Sequence, residues 1–292
     1  MEPIKPTPVC DVRCELGEGP IWLAESSAIA WVDISQRRIH VWDPIRETHK
    51  SIATGKMVGA IAPIGQYSLV AGLADEFASV NLHSGSIRTL VPIDDPAPTN
   101  RMNDGKCDSR GRFWAGTMSM TGTIGAGALY RLDPELIVTR VLDDVTISNG
   151  LGWSPDDRAI YYIDSPTQRI DAFDFDAETG RLSNRRTIVT VDEADGMPDG
   201  MTVDIEGYLW VAFWGGGCVR RFSPKGELSM TVKLPVTQVT SCTFGGDDLG
   251  DLYITTAAYR LPASDISSQP QAGKLFACRP GVAGLPPRAF AG

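Results

Sequence analysis

Residues 194–212 read ADGMPDGMTVDIEGYLWVA. Two Asp-Gly pairs stand four residues apart, and a strand-like run, a turn and a second strand-like run follow. Asp-Gly is ordinary turn chemistry, because glycine reaches positive φ and aspartate bonds its own backbone. The second half of the stretch, a turn followed by a short strand ending on Trp210, recurs along the chain. It appears as SSAIAWVD at Trp31, GQYSLVAG at Leu69, SRGRFWAG at Trp114, DRAIYYID at Tyr162 and LGDLYITT at Tyr253. Successive gaps between these markers are 38, 45, 48, 48 and 43 residues. A second marker, an alternating strand closed by a turn, follows each first one: IHVWDP, ASVNLHSG, LYRLDP, DAFDFDAETG, VRRFSPKG and LFACRPG.

Two markers in register, repeated six times at this period, fit blades of about four strands. The expectation is an all-β chain folded as a six-bladed β-propeller, which hides most sheet edges by radial closure. A β-sandwich or two unrelated all-β domains would leave the shared markers unexplained. Residues 1–292 are read as a single domain, with residues 1–13 a peripheral segment or the strand that closes the ring.

Composition narrows the function. Apolar residues make up 42% and charged residues 22%, as in ordinary soluble proteins. The net charge of −9 argues against nucleic acid or anionic membrane as a partner, since both need a basic face. The N-terminus carries no apolar core of signal-peptide length, and no run approaches the ~20 apolar residues of a membrane span. Six cysteines lie scattered without a Cys-x-x-Cys pair and read as small buried hydrophobes in a reduced, cytoplasmic setting; a Cys10–Cys14 bridge would need a tight local bend.

Counting back from the markers gives a constellation. Asn103 lies five residues before Asp108, Asn149 five before Ser154 and Asp199 five before Asp204. By the same spacing Glu18, Val58 and Ser241 occupy the position in the other repeats. Equivalent positions at the starts of equivalent strands would ring the propeller axis. Two carboxylates and two amide carbonyls form an oxygen-rich set for a hard divalent cation. The glycines that follow, Gly19, Gly150 and Gly200, are expected to let the backbone turn so that the side chain aims inward. Asp195 therefore reads as a turn residue and Asp199 as a ligand. Other chemistries lack their signatures. The three histidines, His40, His49 and His83, make no His-x-x-x-His pattern and read as surface or packing residues. There is no Gly-x-Ser-x-Gly and no phosphate-cradling Gly-x-x-x-x-Gly-Lys-[Ser/Thr].

LGEGPIW, NRMNDGKCDSRGRFWAGTM, GALYRLD, ISNGLGWSPDDRAIYYIDS, PDGMTVDIEGYLWVAFWGGG and TSCTFGG, in that order along most of the chain, resemble the regucalcin (SMP-30)/gluconolactonase family, the bacterial sugar lactonases above all. The resemblance implies a six-bladed propeller that opens sugar lactones such as glucono-, xylono-, arabinono- or galactonolactone. It implies Glu18, Asn149 and Asp199 as metal ligands, Asp199 also as general base, and Arg101 and Asn103 as substrate contacts. One divalent ion is expected, Ca²⁺ first, with Mn²⁺, Mg²⁺, Zn²⁺ and Fe²⁺ as alternatives. Many animal members carry acidic residues shortly after Gly-Thr-Met, where this chain has Ser119, Met120 and Thr121; the polar contact to a sugar hydroxyl is expected either to be lost or to be remade by Thr121, which bears on substrate identity more than on reaction type. Trp214 is the candidate for an apolar wall. The other expected partners are none beyond the small molecule, with the chain a monomer or weak homo-oligomer. Calcium binding without turnover and organophosphate hydrolysis are the competing functions on the same ring.

Overall fold

The computed structural model describes residues 4–94, 97 and 99–292. Six four-stranded antiparallel sheets stand in a ring, a six-bladed β-propeller. Blade 1 runs outward through Gly17–Leu23, Ala28–Asp33, Arg38–Asp43 and Thr48–Ala53. Blades 2 to 5 repeat the pattern from innermost strands Val58–Ile64, Asn100–Cys107, Ser148–Trp153 and Met197–Val203. Blade 6 takes Val239–Gly245, Asp251–Thr256 and Lys274–Cys278, and its outermost strand is Thr7–Arg13 from the other end of the chain. Pairing the two ends in one sheet closes the circle without a free seam. Innermost strands of neighbouring blades pack side by side all the way round, blade 6 against blade 1 included.

The two sequence markers are the second and third strands of each blade. Their aromatic and apolar residues fill the spaces between blades: Trp31, Leu69, Trp114, Tyr162, Trp210 and Tyr253 are all buried. Trp114, Trp153 and Phe175 meet edge to face at 6.0–6.1 Å where blades 3 and 4 touch. Each such side chain contributes about 1.5–3 kcal/mol of burial, so the repeated aromatic is the reason the blades stay together.

The turn before each marker has its own chemistry. Asp108 accepts the backbone N–H groups of Arg110 and Arg112 and the indole N–H of Trp114 at 2.8 Å. Asp204 does the same with Glu206, Tyr208 and Trp210, again at 2.8 Å to the indole. Each of these buried carboxylates is balanced by a guanidinium, Arg112 on Asp108 and Arg221 on Asp204. The first aspartate of the opening stretch, Asp195, lies in a 3₁₀ turn and is held by a two-pronged pair with Arg220 at 2.7 and 2.8 Å.

All six cysteines are free thiols, Cys10 and Cys14 included. The one α-helix among the described residues, Ala263–Ser268, sits in the long connection between Thr256 and Lys274. No helix is long and apolar enough to cross a membrane.

Candidate metal centre and substrate mouth

Every innermost strand begins at the same face of the propeller, and every one breaks register there. The ladder slips between Glu18 and Ile21, Val58 and Ala60, Met102 and Gly105, Ser148 and Leu151, Pro198 and Met201, and Val239 and Ser241. A bulge bends its strand and re-aims a side chain. The bulges lift Asn103, Asn149 and Asp199 out of the ladder, while Glu18, Val58 and Ser241 stand on paired steps beside the slip, all at the head of the channel. All six residues are buried.

The glycines beside them have a different reason from the one expected. Only Gly19 takes a positive φ, 49°. Gly150 and Gly200 are there because the next blade leaves no room: a Cβ on Gly150 would sit 2.6 Å from the Asp199 carbonyl, and one on Gly200 would sit 2.2 Å from Ser241 Oγ. Inner strands approach so closely only where one of them has no side chain. The glycines set the ring's diameter more than its local turn.

Hydrogen bonds then sort the ring. Ser165 Oγ donates to the Pro198 carbonyl at 2.7 Å, so it must accept from Asn149 Nδ2 at 3.0 Å. That fixes the Asn149 amide with Oδ1 pointing away, buried and without a donor. Asp199 Oδ1 is likewise buried without a donor. Glu18 receives only the N–H of its own neighbour Gly19, at 3.0 Å on Oε2. Asn103 differs: its Oδ1 accepts from Arg101 Nη1 at 2.8 Å, and its Nδ2 donates to the Ser148 carbonyl at 2.7 Å. Asn103 thus holds Arg101 in place, and its carbonyl is occupied. The same Arg101 nitrogen also donates to the Met102 carbonyl at 2.8 Å, and no bond among the described residues engages Nε or Nη2.

The electrostatics of this arrangement favour a cation. Burial raises the Glu18 carboxyl well above the ordinary range, and the charges of Asp199 and Asp104 raise it further. Asp199 is raised by burial and by Asp104, against smaller lowering contributions from Asn149, Gly200 and Arg101. Arg101 is itself lowered to about 10 by burial, with Glu18, Tyr259 and Asp199 opposing. The desolvated Arg101 guanidinium and the buried Lys106 ammonium do not balance three clustered carboxylates. Orphaned oxygens on Asn149 and Asp199, with Glu18 beside them, are a donor set suited to a hard divalent ion.

The third carboxylate, Asp104, escaped the spacing argument, which stopped at Asn103. It is buried, takes the Gly105 N–H at 2.7 Å and stands under the charge of Lys106, whose Nζ donates to the Met201 carbonyl at 2.7 Å. The clue was in the sequence, since blade 3 carries Asn-Asp-Gly where blades 4 and 5 carry Asn-Gly and Asp-Gly. Tyr259, whose phenol acts on Arg101, lies in the irregular connection of blade 6, where no repeat could flag it.

The other named residues lie on the same face. Trp214 ends the second strand of blade 5, opposite Met197, and is partly buried. Thr121 is exposed beyond the second strand of blade 3, and its hydroxyl is tied to Ser119 at 2.9 Å and Thr123 at 3.1 Å. At the opposite end the channel widens into a small cavity lined by Ile21, Ile61, Lys106, Trp153 and Val203, and the C-terminal segment Leu285–Arg288 lies across it.

Comparison with known proteins identifies the family. The model of the SMP-30/Gluconolactonase/LRE-like region matches residues 16–258. The chain is 42% identical to regucalcin of Danio rerio over 100% of both chains. It is 39% identical, over 97% of each chain, to YvrE of Bacillus subtilis (strain 168), whose name gives it provisionally as a sugar lactone lactonase. Among solved structures, a calcium-binding protein, regucalcin, from Agrobacterium tumefaciens superposes with a TM-score of 0.94 at 27% identity, covering 99% of this chain and 98% of that one. With six bulged inner strands, a ring of buried oxygens and a family model spanning all six ring positions, the chain belongs to the SMP-30/gluconolactonase/LRE-like family.

Proposed function

We propose that the protein is a divalent-cation-dependent lactonase that opens a sugar lactone to the aldonic acid. The observation that carries this reading is the pair of buried, donorless oxygens on Asn149 and Asp199, set beside Glu18 and next to a guanidinium with free N–H groups. Glu18, Asn149 and Asp199 would hold the ion, with Ca²⁺ the first candidate for an all-oxygen set. When bound, such an ion supplies Lewis acidity toward the lactone carbonyl and makes a nearby water easier to deprotonate.

The chain's own groups supply the rest. Asp199 takes the proton of the attacking water as it adds to the carbonyl carbon. The ring C–O bond then breaks, and that proton passes to the departing alkoxide, giving one hydroxyl and one carboxylic acid. Arg101, locked by Asn103 and the Met102 carbonyl, presents its remaining N–H groups to the oxygens of substrate and product. Trp214 and Tyr259 flank the mouth as apolar and polar walls. Thr121 stands where substrate preference is set, with its hydroxyl already engaged within its own loop.

The names of the regucalcin relatives favour a second reading, calcium binding without turnover. One experiment separates the two: acid release from a panel of aldonolactones by chelator-treated protein, then with single metals restored, with spontaneous opening subtracted. Metal-dependent release supports the lactonase. Tight cation binding with release no faster than the blank overturns it in favour of the binding protein.

A further inference from the structure

We propose that Cys14, Asp33 and His40 form a second cation site, separate from the oxygen ring and suited to a borderline ion of the Zn²⁺ class. All three residues are buried, and one ligand atom from each lies within 4.8 Å of the others. A sulfur, an imidazole nitrogen and a carboxylate oxygen are the donors that Zn²⁺ and Co²⁺ favour, whereas Ca²⁺ and Mg²⁺ favour oxygen alone.

The surroundings resemble those of a ligand set. His40 Nδ1 lies 2.9 Å from His49 Nε2, which leaves His40 Nε2 for an ion and fixes the ring, as the partner of a metal-bound histidine does. Trp31 stacks on His40 with ring centroids 5.2 Å apart, and its indole N–H donates to Cys14 Sγ at 3.2 Å. Asp33 Oδ2 accepts the Glu15 N–H at 2.7 Å, while Oδ1 takes the N–H groups of Leu16 and Gln36 and the Ser35 hydroxyl, so Oδ2 is the less engaged oxygen of a carboxylate that faces the Cys14 thiol. His49 is exposed and lines a groove with Val9, Asp11 and Trp42, giving a route from solvent.

Comparison among blades sharpens the case. In blades 3 and 5 the marker tryptophan donates to a buried aspartate, and an arginine balances that charge. In blade 1 the acceptor is a cysteine sulfur, and no salt bridge among the described residues reaches Asp33. Asp33 closes the second strand opposite Gly17, at the other end from the turns that hold Asp108 and Asp204, so an ion there would meet a carboxylate that no guanidinium among the described residues reaches. Binding releases the Cys14 thiol proton to solvent, and the thiolate with the Asp33 carboxylate then balances the two positive charges. Three protein ligands leave a fourth position for water.

The test is cobalt titration of the chelator-treated full-length protein, read as the thiolate-to-cobalt charge-transfer band in the near ultraviolet. The band is expected in the wild type and in Cys10→Ser, and again in Glu18→Gln, which damages only the ring. It is expected to vanish in Cys14→Ser and to weaken or shift in His40→Gln. Absence of the band at saturating Co²⁺ in folded wild type, or its survival in Cys14→Ser, overturns the proposal. If Cys14→Ser fails to fold, His40→Gln decides: an unchanged band and an unchanged Zn²⁺-induced rise in Tm remove His40 and with it the site.

Discussion

The six innermost strands build two unlike ends of one channel. At the head, all six ladders slip, charged and amide side chains face a common centre, and two buried oxygens have no donor. At the foot the same strands run in register past Ile21, Ile61, Trp153 and Val203, and the C-terminal segment is tied across them. Phe290 donates its N–H to the Pro63 carbonyl at 2.8 Å and Ala291 to the Gly111 carbonyl at 3.0 Å, which fixes that closure. One end spends folding stability on a cluster of like charges. The other is packed like any core. Changes at the head should therefore move chemistry with little loss of fold, and changes at the foot should do the reverse.

The largest effect should come from Asp199→Asn. Loss of the general base is expected to cut lactone turnover by about 10²–10⁴-fold or more, while thermal unfolding shows an intact, cooperative fold. Full activity in that variant would remove Asp199 from the reaction. The matching change at the foot is Phe290→Ala: its buried ring packs with Phe77, Phe113 and Leu132. About 3–5 kcal/mol of stability should be lost with kcat unchanged, measured by denaturant unfolding beside the activity assay. A large fall in kcat with stability intact would break the division between the two ends.

Arg101→Lys keeps the charge and removes the fork. With about 1.5–3 kcal/mol for a charge-assisted hydrogen bond, kcat/KM should fall roughly tenfold to a hundredfold. An unchanged kcat/KM would mean that Arg101 does not touch substrate.

A subtler test uses proton linkage in the metal-free protein. Glu18 and Asp199 are raised above their unfolded values, by burial first and neighbouring carboxylates second. Between the ordinary carboxylate range and those raised values, the folded state binds more protons than the unfolded state. Stability therefore falls as pH rises through that window. Chelated wild type should lose Tm with rising pH there, Asp199→Asn should lose less, and added cation should restore most of the loss. Parallel slopes in wild type and variant would contradict the repulsive ring.

The smallest effect is expected from Thr121→Glu. An exposed substitution should leave stability within about ±0.5 kcal/mol and alter the ranking of lactones by kcat/KM. An unchanged ranking would put Thr121 outside the substrate's reach.

The sequence by itself determined the number of blades, the identity of their second and third strands and the register that aligns Glu18, Asn149 and Asp199. Those features repeat, and a repeat is visible without coordinates because each blade solves the same packing problem with a large apolar or aromatic residue at a similar spacing. Tertiary structure alone decided three further matters. Gly150 and Gly200 are required by the backbone of the next blade, a constraint that no local turn rule contains. Asn103 is spent on holding Arg101, whereas Asn149 keeps a free oxygen, although both stand at the same step of the repeat. His40, which reads as a packing residue in the sequence, meets Cys14 and Asp33 from separate segments of chain. Such contacts depend on how blade 6 closes onto blade 1, where strands far apart in sequence become neighbours. Spacing along the chain records what each blade repeats, and only closure of the ring records what the blades do to one another.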